Sequence, residues 1–206
     1  MSSTRSRQPK TKGEATREQV IAKAAALFNQ LGYANASISD IMRATGLQKG
    51  GIYRHFESKE ALELAAFEFA VEELGRRFRD ALADKETAGE RLRAIVAVYA
   101  SIPAQPPVPG GCPVLNAAIE ADDANPALKR RVAKVLRDWH AFVTRVVSQG
   151  QAQGQLRPDL NPAQFTTTLI ASLEGAIMLS KLWSSGEPMR EVRAQLELKL
   201  REIELD

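Results

Sequence analysis

Apolar side chains recur along almost all of this sequence at three- and four-residue steps. Between Thr16 and Leu31, Val20, Ala24, Leu27, Phe28 and Leu31 form one stripe of a 3.6-residue helix. Gly32 follows as its stop. Ser37, with Asp40 three residues on, predicts a capping box for a short second helix that ends at Gly46. A third short helix is expected from Lys49 to Phe56, with Ile52 and Phe56 one turn apart on its inner face. Ser58 then caps a long helix reaching Ala83, with Leu62, Phe69, Leu74, Phe78 and Leu82 among its apolar positions.

Two further amphipathic stretches carry Leu92, Ile95, Val96 and Tyr99, then Val132, Leu136, Trp139, Val143 and Val146. Asn125-Pro126 opens the second, an N-cap residue followed by proline at the first helical position. The five prolines and the Gly110-Gly111 pair between Pro103 and Pro113 require a loop there. The last helices are expected from about Pro162 to Trp183 and from Pro188 to Glu204. No β-alternating run of useful length occurs, so the predicted fold class is all-α. On the last two helices, Phe165, Leu169, Leu173 and Ile177, then Val192, Leu196, Leu200 and Ile203, form stripes. Ile170, Leu179, Leu182, Leu198 and Leu205 fill other faces, which calls for a second covering surface.

Composition narrows the class. With 206 residues, 44% of them hydrophobic, the chain can bury a core without disulfide or metal. One cysteine excludes an intrachain bridge and the CxxC zinc patterns. No apolar run approaches the ~18 residues of a membrane span. Met1 to Lys12 is basic without an apolar stretch behind it, so no signal peptide is expected and the location is expected to be cytoplasmic. The net charge of +3 is unevenly spread, with ten basic against five acidic residues in positions 1–60. That asymmetry fits either a basic module for a polyanion or a basic tail built on Arg5, Arg7, Lys10 and Lys12.

The stretch SISDIMRATGLQKGGIYRHFESKEAL, Ser37 to Leu62, has the helix-turn-helix pattern, with a tight turn at Thr45-Gly46-Leu47. Ile41, Leu47, Ile52 and Phe56 supply its small core, while Gly50, Gly51, Tyr53 and Arg54 face away, flanked by Lys49 and His55. Residues of low bulk beside a phenol and cations suit a DNA major groove and its phosphates. From Thr16 to Leu64 the sequence closely resembles the DNA-binding domain of the TetR family of transcriptional regulators. Tyr53, His55, Phe56, Ser58, Lys59 and Leu62 stand at family spacing.

The resemblance implies a basic tail (1–13), a helix-turn-helix DNA-binding domain (14–60) and a helical ligand-binding and dimerisation domain (61–206). It assigns DNA contacts to Ser37, Ser39, Arg43, Gln48, Lys49, Gly51, Tyr53, His55 and Lys59. Gln48 stands where the family often has Ser or Thr, and Gly51 where a side chain such as Thr is common. Direct readout from position 51 is therefore not expected. The resemblance also implies a homodimer on a palindromic double-stranded DNA operator, released by a small-molecule effector, with repression favoured. Phe165, Leu169, Leu173, Ile177, Val192, Leu196 and Leu200 are its expected interface.

Other candidates are weaker. Tyr99, Trp139, Phe142, Met178 and Trp183 are expected to line an apolar pocket, with Asn116, His140 and Glu174 as polar handles. Cys112 in the Gly-Gly-Cys-Pro loop stands beside that pocket and supports an alternative, a redox- or ligand-sensing protein without operator-specific reading. Two isolated histidines, His55 and His140, make no metal site. No nucleophile–base–orienter set can be assembled, so neither enzyme nor cofactor is expected.

Overall fold

Thr11 opens the first helix with a reciprocal cap. Its hydroxyl accepts the Glu14 N–H at 3.2 Å, and the Glu14 carboxylate accepts the Thr11 N–H at 2.8 Å. Helix α1 (Lys12–Leu31) thus starts four residues before the expected Thr16, because its first turn is held by the cap and carries no apolar stripe. Lys12 and Gly13 belong to this helix and not to the basic tail. The structure, a computed structural model, describes residues 11–121 and 125–205, and the rest of the tail lies outside them.

Ser37 and Asp40 form the expected capping box at the start of α2 (Ile38–Thr45). Gly46 closes that helix at φ +75°, a left-handed conformation that glycine adopts without a Cβ clash. Helix α3 (Lys49–Tyr53) is shorter than expected, and Arg54 and His55 form a turn before the buried Phe56. Helix α4 (Lys59–Leu82) begins at a Ser58 cap and runs on from this N-terminal head into the body.

The body adds α5 (Ala88–Ser101), α6 (Pro113–Glu120), α7 (Pro126–Ala152), α8 (Pro162–Leu182) and α9 (Glu187–Ile203). Asn125 caps α7 at Leu128, with Pro126 in its first turn. No strand is present among the described residues. In the head, α1 packs on α4 and α2; in the body, α8 lies against α7 and α9, and α5 packs on α4, α7 and α9. The core is continuous through both parts, from Phe28, Ile41 and Ile52 to Ile95, Leu128 and Leu173.

The stripes of the last two helices lie differently from the expected arrangement. Phe165, Leu169, Leu173, Ile177, Leu196 and Leu200 are buried within the single chain, so they hold α8 and α9 onto the body. Of the expected interface residues only Val192 is partly exposed. Periodicity identified two faces on each helix but not which one the chain itself covers. On this side of the molecule Met178, Leu182, Trp183, Leu198 and Leu205 are apolar residues left outside.

Candidate nucleic-acid interface and internal cavity

The head presents a polar surface over a small apolar core. Ile41, Ile52 and Phe56 are buried and fix how α2 and α3 meet. Thr45 Oγ1 donates to the Ile41 carbonyl at 2.7 Å and accepts the Leu47 N–H at 3.3 Å, which tightens the turn. Ser37, Ser39, Arg43, Gln48, Lys49, Gly50, Tyr53 and Arg54 are exposed around this frame, and Gly51 and His55 are half-buried. Gln48 stands at the α3 N-cap position without a side-chain capping bond, so its amide is free to project. The Lys49 ammonium lies 5.9 Å from the centre of the Tyr53 ring, placing a cation beside a phenol. Arg43 pairs with Asp40 at 2.8 Å on the surface. Hydrogen bonds from Ser37, helped by Arg43, hold the Asp40 carboxyl below its usual value.

Lys59 is placed differently from the rest. Its ammonium donates to the Tyr33 carbonyl at 2.8 Å and pairs with Glu63 at 3.1 Å. This cation ties the α1–α2 connection to the start of α4, and its charge is committed within the chain.

In the body, α4, α5, α6, α7 and α8 surround a cavity of about 410 Å³. Val71, Leu74 and Phe78 of α4, Tyr99 of α5, Val114 of α6 and Leu136, Trp139 and Phe142 of α7 form its apolar wall. The rings of Phe78 and Trp139 stand 4.3 Å apart, with Tyr99 and Phe142 each 5.4 Å from one of them. Glu174 of α8 brings a carboxyl into this wall. Its Oε1 accepts the Cys112 thiol at 3.2 Å, while Oε2 is buried without a hydrogen-bond partner. Burial pushes the Glu174 carboxyl up to about 7, with the Cys112 contact working the other way. A second hollow of about 320 Å³, lined by His140, Thr167 and Ile170 among others, shares Val114, Leu136 and Glu174 with the first.

Burial raises the Cys112 thiol well above its ordinary value, and the neighbouring Glu174 raises it further. A reactive thiol needs access and surroundings that lower its pKa. Cys112 is buried at the start of α6 against a carboxyl, and the nearby Lys181 ammonium is engaged by the Gly110 carbonyl at 2.8 Å.

Head and body meet along a seam between α1 and α6. The Asn29 amide donates to the carbonyls of Pro109 at 3.0 Å and Gly111 at 3.2 Å. Asn116 of α6 donates to Asn29 Oδ1 at 2.9 Å and to the Gly110 carbonyl at 3.0 Å. Gly110 has φ +115°, and a Cβ there would stand 2.3 Å from the Asn29 carbonyl oxygen, so only glycine fits. At the end of α6, Glu120 Oε2 accepts the Tyr33 N–H at 2.7 Å and the Ala34 N–H at 3.3 Å. The helix that walls the cavity thus binds the backbone immediately ahead of α2.

Comparison with known proteins fits this two-part build. Residues 20–66 match the model of the bacterial regulatory proteins of the tetR family, and residues 88–196 match the tetracyclin repressor-like C-terminal domain. The second match alone spans more than half of the chain. The chain belongs to the TetR family of transcriptional regulators. A TetR transcriptional regulator from Chloroflexus aurantiacus is 44% identical, with a TM-score of 0.92 over 95% of this chain and 99% of that one. A TetR-family regulator from Cytophaga hutchinsonii is 30% identical, with a TM-score of 0.87 over 97% of this chain and 100% of that one. The transcriptional repressor DhaR of a Mycobacterium species is 27% identical over 84% of this chain and 86% of its own length.

Within this TetR-family chain, the structure sorts the expected effector residues. Tyr99, Trp139, Phe142 and Glu174 line the larger cavity, and His140 lines the smaller one. Asn116 is turned to the seam, and Cys112 touches the cavity only through Glu174. Met178 and Trp183 are exposed on the outside of α8 and its C-cap, so they do not line the cavity as expected. Sequence reasoning missed the α4 wall and the seam residues Asn29 and Glu120.

Proposed function

We propose that this chain is a ligand-responsive repressor that binds a palindromic operator as a homodimer and leaves it when a small molecule fills the α4–α8 cavity. The observation that carries the reading is the physical continuity from cavity to head. Helix α4 lines the cavity with Val71, Leu74 and Phe78 and starts at Lys59, beside the helix-turn-helix. Helix α6 lines it with Val114 and ends on Tyr33 and Ala34 through Glu120. A ligand that prefers one arrangement of α4 and α6 shifts the head by its differential affinity for the two arrangements.

On this reading Gln48 and Arg43 read base edges, while Lys49, Tyr53, Ser37 and Ser39 position phosphates. Family membership supports the homodimer, and the exposed apolar residues Met178, Leu182, Trp183 and Leu198 of the α8–α9 side supply its face. Two-fold symmetry then sets the two α3 helices about 34–36 Å apart, or a multiple of that.

The test is selection of duplexes from a random library by the full chain, followed by fluorescence anisotropy between about 50 and 200 mM salt. Enrichment of a palindrome bound with steep salt dependence is expected. Binding without sequence preference, or with no salt dependence, overturns the operator reading.

A further inference from the structure

The α4–α8 cavity leaves one charge-bearing atom without a partner, and the chemistry around that atom narrows the ligand. Glu174 stands where the two hollows of about 410 and 320 Å³ meet. One of its oxygens takes the weak Cys112 S–H donor at 3.2 Å; the other is buried and unpartnered. The ionisable groups sharing these hollows with it are Tyr99, Asp138 and Arg79 in the larger and His140 in the smaller.

None of them neutralises it. Arg79 is exposed and already pairs with Glu72 at 2.5 Å. His140 faces Thr167 Oγ1 at 2.9 Å through Nε2. Asp138 is another carboxylate, and Tyr99 is a buried phenol whose hydroxyl is held well above its usual value. A buried carboxylate without a counter-ion is costly, and the cost is removed when a cation arrives beside it.

The remaining wall suits such a cation. Phe78, Tyr99, Trp139 and Phe142 place four aromatic side chains in the same cavity, and aromatic rings attract desolvated cations. An anionic ligand would meet the Glu174 carboxyl, while a plain hydrocarbon would leave the Glu174 oxygen unpaired. Resting on the reading of this cavity as the effector site, we propose that the effector is a lipophilic organic cation, an amine or quaternary ammonium on an apolar body, whose charge pairs with Glu174 Oε2.

Calorimetry on the full chain tests this with three probes of one shape: 1-naphthylmethylammonium, 1-naphthylmethanol and 1-naphthoate. In the unaltered chain the ammonium probe should bind at least about tenfold more tightly than the alcohol, and naphthoate most weakly. Because the carboxyl sits near 7, the ammonium probe should also release protons from the protein on binding near neutral pH, measured in buffers of different ionisation enthalpy. In Glu174→Gln the two affinities should converge to within about twofold, with the alcohol nearly unchanged.

Equal or tighter binding of the alcohol or naphthoate in the unaltered chain overturns the proposal and needs no variant to do so. Survival of the cation preference in Glu174→Gln overturns it as well. Tight binding of the alcohol alone leaves the cavity as an effector site of another class. Binding of none of the three overturns this ligand class, while duplex selection still decides the regulatory reading separately.

Discussion

The head and the body of this chain use their polar groups in opposite ways. In the head, Ser37, Asp40, Arg43 and Thr45 satisfy one another or the ends of α2, Lys59 is tied to Tyr33 and Glu63, and Gln48, Lys49, Tyr53 and Arg54 face outward over a filled core. In the body, a carboxylate oxygen is kept inside beside a hollow that its own chain does not fill. A surface that meets a fixed partner gains from being locked in advance. A site that must report the arrival of a molecule needs room and an incomplete set of contacts. The two are joined by the Asn29–Asn116–Glu120 seam, the route by which the proposed coupling would pass.

The largest effect should separate the inner and outer faces of α8. Leu173→Asp places a charge in a fully buried site and should cost on the order of 4 kcal/mol or more, removing cooperative unfolding in a thermal melt. Leu182→Glu, on the exposed side, should leave the helical spectrum and melting temperature nearly unchanged and yield monomers by light scattering. A dimeric Leu182→Glu, Trp183→Glu double variant would move the interface elsewhere.

The carboxyl in the cavity gives the next effect. The ordinary value of Glu174 is 4.5 and its folded value is about 7, so below 4.5 both states hold the proton and no penalty arises. As pH rises from about 4.5 to 7 the unfolded chain ionises first and stability is lost, by up to ~3 kcal/mol, with no further loss above. Glu174→Gln should remove that slope. Parallel melting curves for both chains between pH 5 and about 8 would show that the carboxyl is better solvated than its burial implies.

At the seam, Glu120→Ala leaves two backbone N–H groups without their acceptor and should cost ~1–3 kcal/mol. Its effect on amide exchange at Tyr33 and Ala34 should exceed its effect within α7 or α8. At the proposed reading surface the effects fall on DNA binding. Gln48→Ala should relax preference at one operator position by ~1–3 kcal/mol. Lys49→Ala should weaken all duplexes alike and lower the salt slope by about one. Unchanged preference in Gln48→Ala assigns base reading to other side chains.

The same contrast explains what the sequence disclosed. Boundaries set by local signals were legible: the Ser37–Asp40 box, the Ser58 cap and Asn125-Pro126 each act within four residues. The exposed face of α2 and α3 was legible for the same reason, because its side chains lie within one short segment. The exception is Lys59, whose partner Tyr33 lies 26 residues away. The start of α1 was missed because apolar periodicity says nothing about a polar first turn. The cavity wall was half legible: its aromatic residues could be listed, but Val71 and Leu74 join them only once α4 crosses α7. The Asn29 and Glu120 contacts bridge more than 80 residues and leave no local trace. The inner stripes of α8 and α9 looked like interface because a helical wheel gives angles and not neighbours.

The central claim is that head and body are one coupled device, and coupling between two binding events is reciprocal. The most direct measurement is hydrogen exchange of the full chain with and without a selected palindromic duplex. Protection is expected over residues 37–56, together with altered exchange across the seam at 108–120 and at the cavity face of α4. Changes confined to residues 37–59, with the seam and cavity helices exchanging as they do without DNA, would contradict it.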